Sequence, residues 1–230
     1  MNVLVACEES QRVCTAFRRG GHNAFSCDVI EPSGEHPEWH ILGDALDVIN
    51  PKPDKISFRT MDNKTYIIDK WDLIIAHPPC TYLSNAGACR LYPKKGQLNQ
   101  ERYTKGLQAK EFFMQFINAN CEHIAVENPI PSRIYNLPKY TQIIQPYQFG
   151  HPYTKKTCLW LKGLPKLQPT NVVEPQGMWV NGNSNIWKKQ AADGNVTGKS
   201  KDPRVRAKTF EGIAAAMADQ WGTFLENHKI

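Results

Sequence analysis

Two short segments of the chain end in residues able to do covalent chemistry. Residues 71–80 read Trp-Asp-Leu-Ile-Ile-Ala-His-Pro-Pro-Cys, an apolar run broken by two prolines with Cys80 just past them. Residues 123–129 read His-Ile-Ala-Val-Glu-Asn-Pro, a second apolar run that closes on Glu127 and Asn128. Short branched runs bounded by breaks suit buried strands of a parallel sheet, and in open α/β sheets the reacting groups gather at the carboxyl ends of such strands. A thiolate beside a carboxylic acid is the equipment for attacking an electron-poor ring while protonating it. On cytosine, sulfur would add to carbon 6 and the acid would act at nitrogen 3. Carbon 5 would then behave as an enamine and take a methyl group from a sulfonium donor. Taken alone, residues 71–80 also admit a plainer reading, in which Pro78 and Pro79 stop a strand and Cys80 is a small buried hydrophobe.

The elements that must carry these groups begin with a strand–helix–strand unit. Residues 3–6 form a short apolar run, and Ser10 is placed to cap a helix whose apolar face is Val13, Ala16 and Phe17, ended by Gly20-Gly21. Residues 24–27 make a second strand ending at Asp28, where a carboxylate can accept hydrogen bonds from ribose hydroxyls. The turn between them, Ala6-Cys7-Glu8-Glu9-Ser10, holds no glycine and does not match Gly-x-Gly-x-x-Gly, so no pyrophosphate cradle is expected. Glu8 and Glu9 repel phosphate there. They suit a cationic ligand such as the sulfonium and ammonium of S-adenosylmethionine, or simply complement the helix dipole.

Further on, residues 39–42 read as a third strand with Gly43-Asp44 at its tip, and residues 56–59 and 65–68 alternate as an inserted β-hairpin. Residues 100–118 suit a helix, and residues 143–144 and 157–161 suit two antiparallel strands. The expected fold is α/β and Rossmann-like, a mostly parallel twisted sheet with helices on both faces. Its organisation is expected as a core over residues 1–164, an irregular basic segment over 165–204, and a closing helix over 205–230. That helix presents Phe210, Ile213, Ala214, Met217, Trp221 and Leu225 on its core face.

Size and composition set bounds. A chain of 230 residues with 41% hydrophobic and 22% charged content fits one substantial core, and no apolar run is long enough to span a bilayer. The start lacks a secretory leader pattern, and seven scattered cysteines without a repeated Cys-x-x-Cys fit reduced thiols in a cytoplasm. His36, His40, His123 and His151 lack ligand spacing, so no metal site is expected. The net charge of +6 is concentrated at Lys188, Lys189, Lys199, Lys201, Arg204, Arg206 and Lys208, a stretch suited to phosphates or to a solvated loop. Tyr82, Tyr92, Tyr147, Tyr153, Trp179 and Trp187 offer stacking faces or packing.

At Pro79-Cys80, Ser84 and Glu127-Asn128 the chain resembles the DNA cytosine-5 methyltransferases, especially short phage-type sequences, over most of the catalytic core. The resemblance implies Cys80 as nucleophile, Glu127 with Asn128 as the acid that holds the base, and Pro79 and Ser84 in contact with substrate. It implies S-adenosylmethionine as cofactor, held by Ala6, Cys7, Glu8 and Ser10 of the first turn, by Asp28 and Val29, by Asp44 and by His77 and Pro78. The family's phenylalanine and glycines are missing from the first turn. Its arginine-bearing strand has Lys155 and Lys156 as the nearest counterparts, and only about forty residues stand where a large target-recognition domain would be. The implied partner is DNA, as a duplex with a flipped base or as a single strand, with a protein partner for target recognition and no membrane. The implied location is a cytoplasm, that of the host for a phage gene. Two alternatives stay open. One moves the target, because His77-Pro-Pro-Cys80 also looks like the motif of exocyclic-amino methyltransferases, or to a free nucleotide. The other is a binding protein that keeps the fold without catalysis.

Overall fold

The computed structural model describes residues 1–50, 55–88, 90–179 and 203–228. Val3, Leu4, Val5 and Ala6 have no exposed surface, and neither have Leu73, Ile74, Ile75 and Ala76. A strand apolar at successive positions has both faces covered, which is the condition of the centre of a parallel sheet. These residues belong to β1 (Asn2–Ala6) and β6 (Leu73–Ala76), which pair in parallel. The other strands are β2 (Asn23–Asp28), β3 (His40–Leu42), β4 (Ile56–Arg59), β5 (Thr65–Ile68), β7 (Ile124–Pro129), β8 (Gln142–Ile144) and β9 (Thr157–Lys162). Helices are α1 (Arg12–Arg19), α2 (Leu46–Ile49), α3 (Asn85–Ala88), α4 (Gln100–Ile117), α5 (Pro203–Ala207) and α6 (Glu211–Asn227).

Seven strands form one sheet in the order β3-β2-β1-β6-β7-β9-β8, parallel from β3 to β7, with β9 antiparallel to both of its neighbours. The chain runs outward from β1 to β3 and then crosses to β6, so the strand order reverses between β1 and β6. In doubly wound sheets the crevice at such a reversal receives the ligand. This is the Rossmann-like α/β architecture read from the sequence. The hairpin β4–β5 lies outside the main sheet as a two-stranded antiparallel pair, and its Phe58 packs against Phe25 and Trp71.

Two cores sandwich the sheet. Leu4, Phe25, Ile74 and Val126 face α4 and the hairpin through Phe113, Phe116 and Phe58, while Val3, Val5, Ile75 and Leu159 face α1 and α6. The second interface joins chain segments about two hundred residues apart, and the expected core face of the last helix is buried throughout. Gly212 lets α6 approach, since a Cβ there would collide with the Phe149 carbonyl oxygen.

The start of α1 differs from the expectation. Ser10 does not cap it. The N-cap is Gln11, in the left-handed conformation with φ 55° and no side-chain cap bond. Glu8 fills the role instead, its carboxylate accepting from Val13 N at 2.6 Å and Cys14 N at 3.1 Å. The cause lies one residue earlier: Cys7 is left-handed at φ 58°, a conformation that costs a non-glycine residue roughly 1–2 kcal/mol. With that turn in place the Glu8 side chain lies beneath the first turn of the helix.

Residues 165–179 are irregular yet fastened to the sheet. Leu167 is buried, with its N–H donating to Gln142 Oε1 at 2.9 Å and its carbonyl accepting from Gln142 Nε2 at 2.7 Å. Trp187, Lys188, Lys189, Lys199 and Lys201 lie outside the described residues. Among the described residues no helix is long and apolar enough to cross a membrane, and no group of His, Cys, Asp and Glu is arranged to hold a metal ion.

Candidate functional site

The carboxyl ends of β6 and β7 are adjacent, with Ala76 paired to Val126. The next residue on each strand, His77 and Glu127, therefore points to the same face. Their side chains meet at 3.0 Å, Nδ1 to Oε2, with only 11% and 13% of each exposed. Asn128 points the other way and is buried, and its Nδ2 donates to the Pro78 carbonyl at 2.7 Å. This bond ties the proline-broken end of β6 to β7. Proline can neither donate nor continue the ladder, so a side-chain amide takes over where the backbone pairing stops.

Cys80 follows, half-buried and unoxidised. Burial pushes its thiol above the usual range and the charge of Glu127 pushes it further, while Lys155 and Arg206 pull it back. Lys155 also acts on His77 and Glu127, which places its charge among all three groups. Its Nζ donates to the Arg206 carbonyl at 3.0 Å, so the turn before β9 and α5 are joined over the site. Burial would raise Glu127, but the hydrogen bond from His77 and the charge of Lys155 hold its carboxyl below the ordinary value. Burial would lower His77, but the bond and charge of Glu127, with Glu8 behind, hold the imidazole above its ordinary value.

Ser84 is buried and has a turn-forming place. Its N–H donates to the Cys80 carbonyl at 3.0 Å and its Oγ accepts from Gly87 N at 3.2 Å, so it both follows the cysteine turn and caps the short α3. Pro79 is exposed beside Cys80. The two lysines expected together part company, because Lys155 enters the cluster while Lys156 is exposed. Arg206 was visible in the sequence only as one of a run of basic residues. That its charge reaches Cys80 depends on how α5 is joined to the start of β9 through Lys155, a long-range packing fact with no local signal.

Of the expected donor-binding residues, Ala6, Cys7, Glu8, Asp28, Val29 and Asp44 stand at the ends of β1, β2 and β3, while His77 and Pro78 lie beyond β6 and Ser10 stands apart. Asp28 is half-buried, its carboxylate raised by burial, and its backbone carbonyl accepts from Gly43 N at 2.9 Å. Asp44 is exposed and accepts from Leu46 N at 2.9 Å. Val29 is 71% exposed and stands beside Asp28 with the exposed Ile30 and Leu42. A carboxylate flanked by uncovered apolar side chains suits a nucleoside, whose ribose hydroxyls donate and whose base is flat and apolar on its faces. Cys7 lies close to Asp28, Cys27 and Asp44, and burial pushes its thiol far up. Ala6 is fully buried and contributes its carbonyl to His77 N at 2.9 Å. Glu8 is buried beneath α1, its carboxyl pushed up to about 7 by burial, so it does not stand as an open anion for a cationic ligand. Ser10 lines a separate open groove between α1 and α6, with Arg12, Arg19 and Asp219, which includes neither Cys80 nor Glu127.

Among solved structures the chain is similar to a protein described as a DNA modification methyltransferase encoded within a prophage of E. coli, with a TM-score of 0.42 and 12% identity over 76% of this chain and 52% of that one. It is also similar to the methyltransferase EhMeth of Entamoeba histolytica, with a TM-score of 0.36 and 14% identity over 80% of this chain and 61% of that one. The chain thus spans between half and two thirds of the length of these structures. No family model and no curated protein matches it.

Proposed function

We propose that the protein methylates carbon 5 of cytosine in DNA through a covalent adduct on Cys80, with S-adenosylmethionine as donor. The observation that carries the reading is a half-buried thiol and a buried carboxyl just past the adjacent ends of β6 and β7, each within electrostatic reach of the other and of Lys155. In the free protein burial and the charge of Glu127 hold the thiol above its ordinary range, and the charges of Lys155 and Arg206 oppose that rise without cancelling it. Glu127 delivers a proton to ring nitrogen 3 as sulfur adds to carbon 6. Asn128, through Pro78, fixes the distance between the turn that carries the nucleophile and the strand that carries the acid. Asp28, Val29 and Asp44 fit the nucleoside part of the donor, which when bound supplies an electrophilic methyl group. Extruding a base from a duplex costs a few kcal/mol, and the basic residues Arg204 and Arg206 of α5 and Lys208 just after it, with Lys188, Lys189, Lys199 and Lys201 in the sequence, fit the phosphates that offset it. Residues 165–204 would then act as a reduced recognition segment, on duplex or single-stranded DNA.

Fluorine at carbon 5 cannot leave as a proton does, so DNA containing 5-fluorocytosine traps the adduct. Wild type with labelled donor is expected to give a covalent protein–DNA species that Cys80→Ser does not form. A species formed equally by Cys80→Ser, or none with wild type on varied sequences, removes the covalent reading.

A further inference from the structure

We infer that His77 is a positioning residue that also resupplies the acid: its Nδ1 holds Glu127 at 3.0 Å and passes on the proton that Glu127 delivers to the ring nitrogen. This rests on the reading of Cys80 and Glu127 above. The pair is fixed by the backbone, since the register of β6 against β7 sets both side chains on the face toward α1 and α6. Further, Nε2 of His77 is buried with no hydrogen-bond partner among the described residues. An imidazole whose only purpose was to brace a carboxylate would gain by satisfying its second nitrogen, because an orphaned buried polar atom costs about 1–3 kcal/mol. The charged and titratable groups that act on the pair come from several elements: Glu8 from the turn after β1, Cys80 beyond β6, Lys155 before β9 and Cys158 on β9, with the charge of Arg206 in α5 acting on Cys80.

The proton balance is simple. As sulfur bonds to carbon 6, the carbon 5–carbon 6 π pair shifts to the carbon 5–carbon 4 bond, and the carbon 4–nitrogen 3 π pair moves onto nitrogen 3. Nitrogen 3 takes a proton from the Glu127 carboxyl, and the proton on His77 Nδ1 crosses to Glu127. Starting from the thiolate, whose proton has passed to solvent water, one S–C bond and one N–H bond form and the Nδ1–H bond of His77 breaks, so His77 changes from imidazolium to imidazole and Glu127 ends as the carboxylate it was. After methyl transfer the nitrogen 3 proton returns through Glu127 to His77, and the cysteine departs as the carbon 5 proton is lost to solvent water, which restores the carbon 5–carbon 6 double bond. In the resting pair His77 is held above its ordinary value and Glu127 below it, so the proton rests on His77 and crosses only as negative charge develops on nitrogen 3.

His77→Asn separates bracing from proton supply, because the asparagine amide can still donate to Glu127 and cannot titrate. The rate of adduct formation on 5-fluorocytosine DNA is measured for wild type and His77→Asn from pH 6 to pH 8. The wild-type pair keeps its proton until pH passes the raised value of His77, whereas the variant loses it at that of Glu127 alone. Because the charge of Glu127 acts on Cys80, the thiol titration is followed separately in each protein by the rate of Cys80 alkylation and divided out. The deficit of the variant is expected to widen at least fivefold across that range. A deficit constant with pH overturns the inference and leaves the covalent reaction standing, and no wild-type adduct at any pH overturns both. The His77 titration followed by NMR gives an independent check: its midpoint is expected to fall in Glu127→Gln, and an unchanged midpoint overturns the coupling.

Discussion

Beyond β6 and β7 the candidate side chains bond across to other segments of the chain. His77 is bonded to Glu127, Asn128 to the carbonyl of Pro78, and Lys155 to the carbonyl of Arg206 across about fifty residues of sequence. Beyond β1, β2 and β3 the acids turn back to their own backbone. Asp28 accepts from Ile30, Asp44 from Leu46, and Glu8 from the first turn of α1. A cross-tied cluster is set before substrate arrives, which is the condition for electrostatic groups to lower a barrier without reorganising. A row of locally bonded acids is set only by its own turns, and it can change residue by residue while the sheet beneath stays fixed. The first turn carries a buried capping acid and a left-handed cysteine, a backbone conformation that glycine adopts more freely.

The contrast can be broken by substitution. Glu127→Gln keeps the shape of the cluster and removes its acid, and turnover is expected to fall about 10³-fold with little change in thermal stability. A loss of stability as large as the loss of rate would make the cluster a structural device instead. On the other side, Glu8→Gln is expected to act on stability and its pH dependence. The folded protein holds a proton on Glu8 up to about 7, while the unfolded chain releases it near the ordinary value of about 4.3. The stability that this proton contributes is complete below the unfolded value and is lost as pH climbs through about 7. Between pH 5 and pH 8 wild type should lose on the order of 3 kcal/mol relative to Glu8→Gln, measured by urea unfolding, and parallel curves for the two proteins would remove the assignment. The smallest effect is expected at Asp28→Asn, a weakening of donor affinity of about tenfold with the single-turnover rate at saturating donor within about twofold. A fall in that rate instead would put Asp28 in the chemistry and erase the division between the halves.

Much of the architecture was legible because it follows from patterns a few residues long. The doubly apolar runs at 3–6 and 73–76 announce the centre of a parallel sheet, the alternation at 56–59 and 65–68 announces a hairpin, and the stripe from Phe210 to Leu225 announces a helix with one buried face. The strand ends that carry Cys80, Glu127 and Asp28 could be placed for the same reason. What escaped the reading depends on geometry without a local mark. Ser10 looked like a cap because serine suits that place, yet the left-handed Cys7 and Gln11 shift the helix start and bring Glu8 in. The bond between His77 and Glu127 needs the register of two strands separated by a long helix, and the convergence of Lys155 with Arg206 needs the path of the chain back over β9. No spacing in the sequence encodes either.

The pairing of α1 with α6 also has a consequence for synthesis. The apolar side of α1, with Val13, Cys14 and Phe17, is made within the first tenth of the chain, and the side chains that cover it, Ile213, Met217 and Trp221, are made in the last. At translation speeds of roughly 5–20 residues per second, that surface stays uncovered for about ten seconds or more on the ribosome. During that interval the nascent sheet offers a greasy flank to chaperones or to its neighbours, and temperature during expression should weigh on the yield of soluble protein more than the finished molecule's stability would suggest.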